Sequence, residues 1–186
     1  MKKSILIVAC FLHSLISFGQ LKSIELDKSP MDMSYFPFDY PKQKLNGKAK
    51  EQPIARIIYS RPQKNNREIF DGIVKYNELW RLGANEATEI EFFKNAKVNG
   101  KIVPKGKYTL YCIPTETKWT VILNKDNFCW GNFNYDIKKD IVRVDCKVEF
   151  ISEIAEAFTA EFDETKTGAN LIFMWDNVKV TLPIGF

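Results

Sequence analysis

The chain has 186 residues, with 27 Lys and Arg against 23 Asp and Glu, which gives a formal net charge of +4. Opposite charges are interspersed, so the sequence does not predict binding to nucleic acid or to a membrane surface. It contains no P-loop, dinucleotide fingerprint, EF-hand loop or nucleophile elbow, and we expect neither a cofactor nor a metal.

The first 19 residues are typical of a secretory signal peptide. Two lysines precede an apolar run over residues 5–16, and small residues follow up to Gly19. The run is shorter than the roughly 20 residues that span a membrane. Cys10 leaves lipidation open, although cleavage near Gly19 is favoured. We therefore expect an exported protein of the periplasm or cell surface, without a membrane span.

Removal of that segment would also remove His13, the only histidine of the chain. The mature protein would then lack an imidazole for Ser-His or Cys-His catalysis and for a typical catalytic zinc site. The remaining length fits a single domain. Residues 20–50 are polar and contain several Lys and Pro, which predicts an extended N-terminal arm with one edge strand before a domain over 51–186.

Alternation of apolar and polar residues predicts short strands through most of 51–186. In the first half of the domain these strands are 54–59, 88–92, 107–113 and 119–123. Asn99-Gly100 predicts a type I′ hairpin turn, because both residues tolerate positive φ.

The strongest alternation runs from Val142 to Phe150, where every second residue is apolar. The same period recurs over 158–162, 171–175 and 178–182, with a turn predicted at Asp176-Asn177. Residues 136–139 and 153–157 could each hold one helical turn. Seven or eight short strands joined by regular turns predict an all-β fold, namely an antiparallel β-sandwich of jelly-roll-like form.

Residues 60–88 break this alternation and predict one long irregular loop segment. Such a stretch in a small β domain is typical of a functional loop or a packed cover. The candidate ligand-binding residues are Arg61, Arg67, Trp80, Arg81, Asn85, Glu86 and Thr88. The arginine fork suits carboxylates and phosphates, which predicts an anionic or sugar-like ligand. Alternatively, Arg81 pairs with Glu86, while Asn85 and Thr88 bond to backbone and fix the loop.

Three cysteines follow the predicted cleavage point, namely Cys112, Cys129 and Cys146. An oxidising compartment permits disulfides, but the number is odd and no CxxC spacing indicates a metal. Cys112 and Cys146 lie on strand patterns and are expected to be small core residues. The sequence leaves open which pair, if any, is bridged.

Several runs between residues 54 and 184 together resemble a known family. They include Tyr59-Ser60-Arg61-Pro62, Trp80-Arg81, Gly83-Ala84-Asn85-Glu86-Ala87-Thr88 and Pro104-Lys105-Gly106-Lys107-Tyr108. They resemble the bacterial domain-of-unknown-function family DUF2911. Asn66, Asp71 and Asn77 stand where that family commonly has Gly, and because Asn and Asp tolerate a left-handed backbone we expect the loop geometry to survive. The resemblance implies export and a compact β domain, and no established activity.

Three functional hypotheses remain. We favour a non-enzymatic module that binds a small molecule or an envelope protein through residues 60–88. The second is a histidine-free hydrolase that pairs Glu86 with Glu89 or Glu91, since paired carboxylates can perform acid–base catalysis. The third is a structural protein of the envelope without a pocket.

Overall fold

A computed structural model describes residues 25–49 and 52–186. The predicted signal peptide, its cleavage near Gly19 and lipidation at Cys10 lie outside these residues. The strands are β1 (Met31–Phe36), β2 (Ala55–Ser60), β3 (Glu89–Phe92), β4 (Ala96–Val98), β5 (Lys101–Val103), β6 (Gly106–Pro114), β7 (Lys118–Asn124), β8 (Asp140–Thr165) and β9 (Gly168–Gly185). A helix α1 (Tyr40–Leu45) and a 3-10 turn at Ile137–Lys139 complete the described elements.

The strands form one antiparallel, nine-stranded sheet in the order β1-β2-β3-β6-β7-β8-β9-β4-β5. The all-β prediction is confirmed, and β2, β3, β6 and β7 lie where alternation predicted strands. The jelly-roll-like sandwich is not confirmed, because the strands belong to a single sheet. The long strand β8 makes this possible: its first part pairs with β7, and its remainder pairs with β9.

The sheet curls so that the second half of β8 packs against β1 and β2. The ring of Phe158 meets Tyr59 edge to face at 5.9 Å between centroids, and Phe162 lies 6.1 Å from Phe36. Apolar residues from alternate positions of the strands fill the interior, which follows from the two-residue period of a strand. Within the described residues, no helix is both long enough and apolar enough to cross a membrane.

Two local predictions in the C-terminal half are wrong. The turn predicted at Asp176-Asn177 lies inside β9, where Asp176 adopts a φ of 54° and the strand continues. The helical turn predicted over 153–157 lies inside β8, where the pairing with β9 shifts register on both sides of Ala155. Extra residues in β8 interrupt the alternation of apolar and polar residues, while the pairing with β9 continues on both sides. The sequence of such a β-bulge therefore resembles that of a turn.

Other local predictions are confirmed. Asn99 and Gly100 have φ of 48° and 78°, as a type I′ turn requires. Cys112 and Cys146 are buried, and burial raises the pKa of the Cys146 thiol to about 11. The thiols of Cys112, Cys129 and Cys146 are all free, so no disulfide forms among these three.

Candidate functional site

The segment between β2 and β3 is a packed cover fixed by backbone hydrogen bonds. The amide of Trp80 donates to the carbonyl of Cys112 at 2.7 Å, and the amide of Cys112 donates back at 2.8 Å. Asn66, Asp71 and Asn77 all have positive φ, which confirms the expected left-handed geometry at these positions. The cover therefore has a defined conformation beside the edge of β6.

A tight turn follows Trp80 and sets the direction of Arg81. Leu82, Gly83 and Asn85 have φ of 54°, 148° and 56°. A Cβ on Gly83 would lie 3.1 Å from the carbonyl oxygen of Ser60, so a larger residue there would strain the turn. Leu82 is fully buried, and this burial offsets the roughly 1–3 kcal/mol that a left-handed non-glycine residue costs.

Beside this turn lies a cavity of about 210 Å³, which we call the Arg81 cavity. It is lined by Ser29, Pro62, Arg67, Ile73, Val74, Trp80, Arg81, Gly83, Ala84 and Trp175. Most of these side chains are apolar, and none carries a carboxylate. The charges at its wall are therefore those of two arginines.

Arg81 lacks a partner for a buried donor. Its Nε is buried and forms no hydrogen bond, and no ion pair of Arg81 exists within residues 25–49 and 52–186. Loss of hydration by burial lowers the pKa of Arg81, and no neighbouring carboxylate opposes this effect. A buried donor without an acceptor costs about 1–3 kcal/mol, so this arrangement is unfavourable unless something accepts from it.

Trp175 contributes a second such donor to the same cavity. Its side chain is 1% exposed, and its indole Nε1 has no acceptor. The neighbouring indole of Trp80, which stacks on it at 6.0 Å, donates to the carbonyl of Gly83 at 3.1 Å. Tyr40 and Asn127 also carry a buried unpaired polar atom, but neither lines this cavity. Two residues that line this cavity, Arg81 and Trp175, therefore each carry a buried donor without an acceptor.

The other two arginines of the cover have partners. Arg61 donates from Nη1 to Asp32 at 3.0 Å and from Nη2 to Thr159 at 3.1 Å, which ties β1 to the second half of β8. Arg67 donates to two backbone carbonyls of its own turn, one of them Lys64 O at 3.0 Å from Nε. Its exposed guanidinium nevertheless lines the Arg81 cavity.

Asn85, Glu86 and Thr88 lie outside the cavity. Asn85 donates to Asp27 at 3.0 Å, and Thr88 donates its hydroxyl to the carbonyl of Leu82. Glu86 is exposed and lines a separate apolar cavity of about 210 Å³, which Phe128 also lines. The structure thus brings Trp80, Arg81 and Arg67 together. The alternative ion pair between Arg81 and Glu86 is absent from the described residues.

The acidic residues of β3 are already paired with bases. Glu89 and Glu91 share one face of the strand, as the alternation predicts. Nε and Nη2 of Arg56 both lie 2.7 Å from Oε2 of Glu91, and Lys107 Nζ lies 3.5 Å from Glu89. Among residues 25–49 and 52–186, no group of three His, Cys, Asp or Glu is placed to hold a metal ion.

A larger groove of the surface lies elsewhere. It measures about 570 Å³ and includes Lys97, Asp145, Lys147 and Thr181. Asp145 there is satisfied by Lys118 at 2.5 Å and by a hydroxyl, and no buried unpaired polar atom lines the groove. The smaller Arg81 cavity differs from this groove, because two of its lining residues, Arg81 and Trp175, carry a buried donor without an acceptor.

Sequence reasoning missed Trp175 and the apolar wall. Trp175 alternates with Leu171 and Phe173 on β9, so its pattern is that of any inward core residue. Its contact with the cover joins positions far apart in the chain. One chemical property of the residue could have identified it. The N–H of a buried tryptophan usually has a hydrogen-bond acceptor, so an inward-facing tryptophan on a strand indicates a polar group or a ligand beside it.

Comparison with known proteins gives one match. The family described as "Protein of unknown function (DUF2911)" matches residues 40–184. No curated protein and no solved structure matches the chain.

Proposed function

The chain belongs to the DUF2911 family, and from that premise we propose that it is a binding protein for a small anion held in the Arg81 cavity. The observation that supports this is the pair of buried donors, Arg81 Nε and Trp175 Nε1, without acceptors at one cavity. An anion would accept from both donors and neutralise the guanidinium. Charge-assisted hydrogen bonds of this kind are about twice as strong as neutral ones.

The surroundings of the two donors favour binding over a purely structural role. Structural arginines in this chain have satisfied donors, as Arg61 has with Asp32 and Thr159. Arg81 differs in being partly buried and unpaired. The unpaired buried donor destabilises the free protein, and a bound anion would remove this destabilisation. Binding sites commonly reduce the stability of the free protein in this way.

We also propose that the protein is exported. The support is the N-terminal pattern of two lysines, an apolar run and small residues up to Gly19. The N-terminal sequence of the protein recovered from a bacterial envelope fraction tests this, and an intact Met1 would contradict it.

A thermal-shift screen tests the binding proposal. Acetate, butyrate, glucuronate, phosphate and sulfate are compared at constant ionic strength. A bound anion at about ten times its Kd should raise the melting temperature by about 3–6 °C. The Arg81→Met variant should show no shift with the same anion.

The Arg81→Met variant is informative because its expected stability is known and a matched control exists. The Arg81 side chain has no partner to lose among residues 25–49 and 52–186, so Arg81→Met should fold and be as stable as the wild type, or more stable by about 1 kcal/mol. Arg143→Met is the matched control, because Arg143 lies on β8 with Asp140 and Tyr135 as its partners. Equal shifts in wild type and Arg81→Met, or none with any anion, would reject the proposal and favour a structural role.

A further inference from the structure

The size of the Arg81 cavity limits its ligand. Pockets for drug-sized molecules measure about 300–1,000 Å³. The Arg81 cavity measures about 210 Å³, which corresponds to about seven waters at about 30 Å³ each. A disaccharide or a nucleotide would not fit inside it, whereas an anion of a few non-hydrogen atoms would.

The charge of the cavity favours one negative charge. Arg81 is the only partly buried guanidinium at the wall, and the second arginine, Arg67, is exposed and already donates to backbone. A second negative charge taken inside would lack a buried counter-charge, and burying an uncompensated charge is costly. Phosphate monoesters carry about −1.5 to −2 at pH 7 and are disfavoured on this ground.

The donor geometry of Arg81 suits a carboxylate. The Nε–H and a neighbouring Nη–H of a guanidinium point side by side and match a carboxylate. Arg56 uses the same two donors on a carboxylate within this chain, although both converge on one oxygen: Nε and Nη2 each lie 2.7 Å from Oε2 of Glu91. Arg81 lines the cavity with its Nε unpaired, and Trp175, which also lines it, adds a further unpaired N–H.

The remaining wall is apolar. Pro62, Ile73, Val74, Ala84 and the rings of Trp80 and Trp175 supply it. Sulfate or phosphate, hydrated on all sides, would lose water against these groups without gaining hydrogen bonds. A ligand with one anionic end and one short apolar end would meet both parts of the wall, since burial of each CH₂ group is favourable.

We infer that the Arg81 cavity binds a monocarboxylate with a short apolar group, of about four to eight non-hydrogen atoms, with its carboxylate against Arg81 and Trp175. This inference rests on the proposed function and specifies its ligand class. Butyrate is the probe, because its carboxylate and three-carbon chain match the two parts of the wall.

Calorimetric titration of the purified protein at constant ionic strength tests the inference with four probes. Butyrate should bind at least about ten-fold more tightly than butyramide, which has the same shape without the charge, and than phosphate or sulfate. Intrinsic fluorescence provides a second readout, because Trp80 and Trp175 both line the cavity.

Two variants locate the carboxylate, and a third is the control. Arg81→Lys keeps the charge but removes the fork, and should weaken butyrate by about ten-fold. Trp175→Phe removes the indole N–H and should weaken it by about five- to ten-fold. Arg143→Met should bind butyrate as the wild type does. Circular dichroism of each variant establishes that it is folded, and the two cavity variants test the site independently of each other.

The outcomes separate this inference from the proposed function. Tighter binding of phosphate or sulfate than of butyrate, with loss in Arg81→Met, would overturn the monocarboxylate and leave the anion-binding function standing. Equal binding of butyrate and butyramide would also overturn the monocarboxylate. Absence of any Arg81-dependent anion binding would overturn both.

Discussion

The β8–β9 hairpin and the cover between β2 and β3 differ in how they satisfy the hydrogen-bonding groups that lie at the interior. In the hairpin, backbone groups are paired by a ladder and inward side chains such as Phe173 are purely apolar. In the cover, the chain turns through left-handed residues and places polar side chains at the interior. The hairpin pairs its backbone groups in a ladder and leaves one buried side-chain donor unpaired, the Nε1 of Trp175, whereas the cover leaves the Nε of Arg81 unpaired.

Trp175 lies where the two regions meet. Its ring belongs to the hairpin and stacks on Trp80 of the cover at 6.0 Å, while its N–H is unpaired at the Arg81 cavity. The comparison indicates that the hairpin supplies stability and one rigid wall, and that the cover supplies the charged group. Sites of this kind, with a loop on a rigid scaffold, are common in β proteins.

The largest expected effect tests the structural role of the hairpin. Phe173→Ala removes a fully buried ring that stacks on Phe158 at 6.3 Å. It should lower the free energy of unfolding by about 3–5 kcal/mol, measured by urea denaturation. Phe133→Ala is the control, because Phe133 is 81% exposed and its loss should change stability by less than about 0.5 kcal/mol. Similar losses in both variants would contradict the assignment of the core.

A smaller effect tests the strain in the cover. Gly83 has a φ of 148°, and an added Cβ would lie 3.1 Å from the carbonyl oxygen of Ser60. Gly83→Ala should therefore cost about 1–3 kcal/mol and weaken ligand binding, because Gly83 lines the Arg81 cavity. Gly100→Ala is the control: its φ is 78° and its Cβ would meet nothing within 4 Å. It should cost about 1 kcal/mol and leave binding unchanged.

The two regions also differ in how far the sequence predicts them. The alternation from Val142 to Phe150 is a local signal, and the strand it predicts is the first part of β8. The merging of the later predicted strands into β8 and β9 was missed, because a bulge near Ala155 and the positive φ of Asp176 interrupt a ladder that partner strands maintain.

For the cover, residue chemistry predicted participants but not their partners. Arg61 and Arg81 look alike in sequence, which predicts a ligand-binding role for both. Asp32 and Thr159 satisfy Arg61 from distant strands, while the wall beside Arg81 includes Trp175 of β9 and no carboxylate. Only tertiary structure separates the two arginines, and the ligand-binding role of the full set remains a prediction.

The smallest expected effect concerns the charge pair between Lys118 and Asp145, on the outward face of β8. Asp145 is exposed and has partners, in contrast to the half-buried and unpaired Arg81. Hydrogen bonds from Lys118, at 2.5 Å, and from Thr120 lower the pKa of Asp145. An unfolded Asp titrates near about 3.9, so this stabilisation is complete above that pH and is lost as pH falls through the lower folded pKa. Because the pair is exposed, Asp145→Asn should cost less than about 1 kcal/mol at pH 7. The difference between variant and wild type in urea denaturation should vanish at low pH. A larger cost at pH 7 that disappears in acid would mean that paired surface charges, and not only the buried interior, stabilise β8. A cost that persists in acid would mean that Asp145 stabilises the strand by something other than its charge.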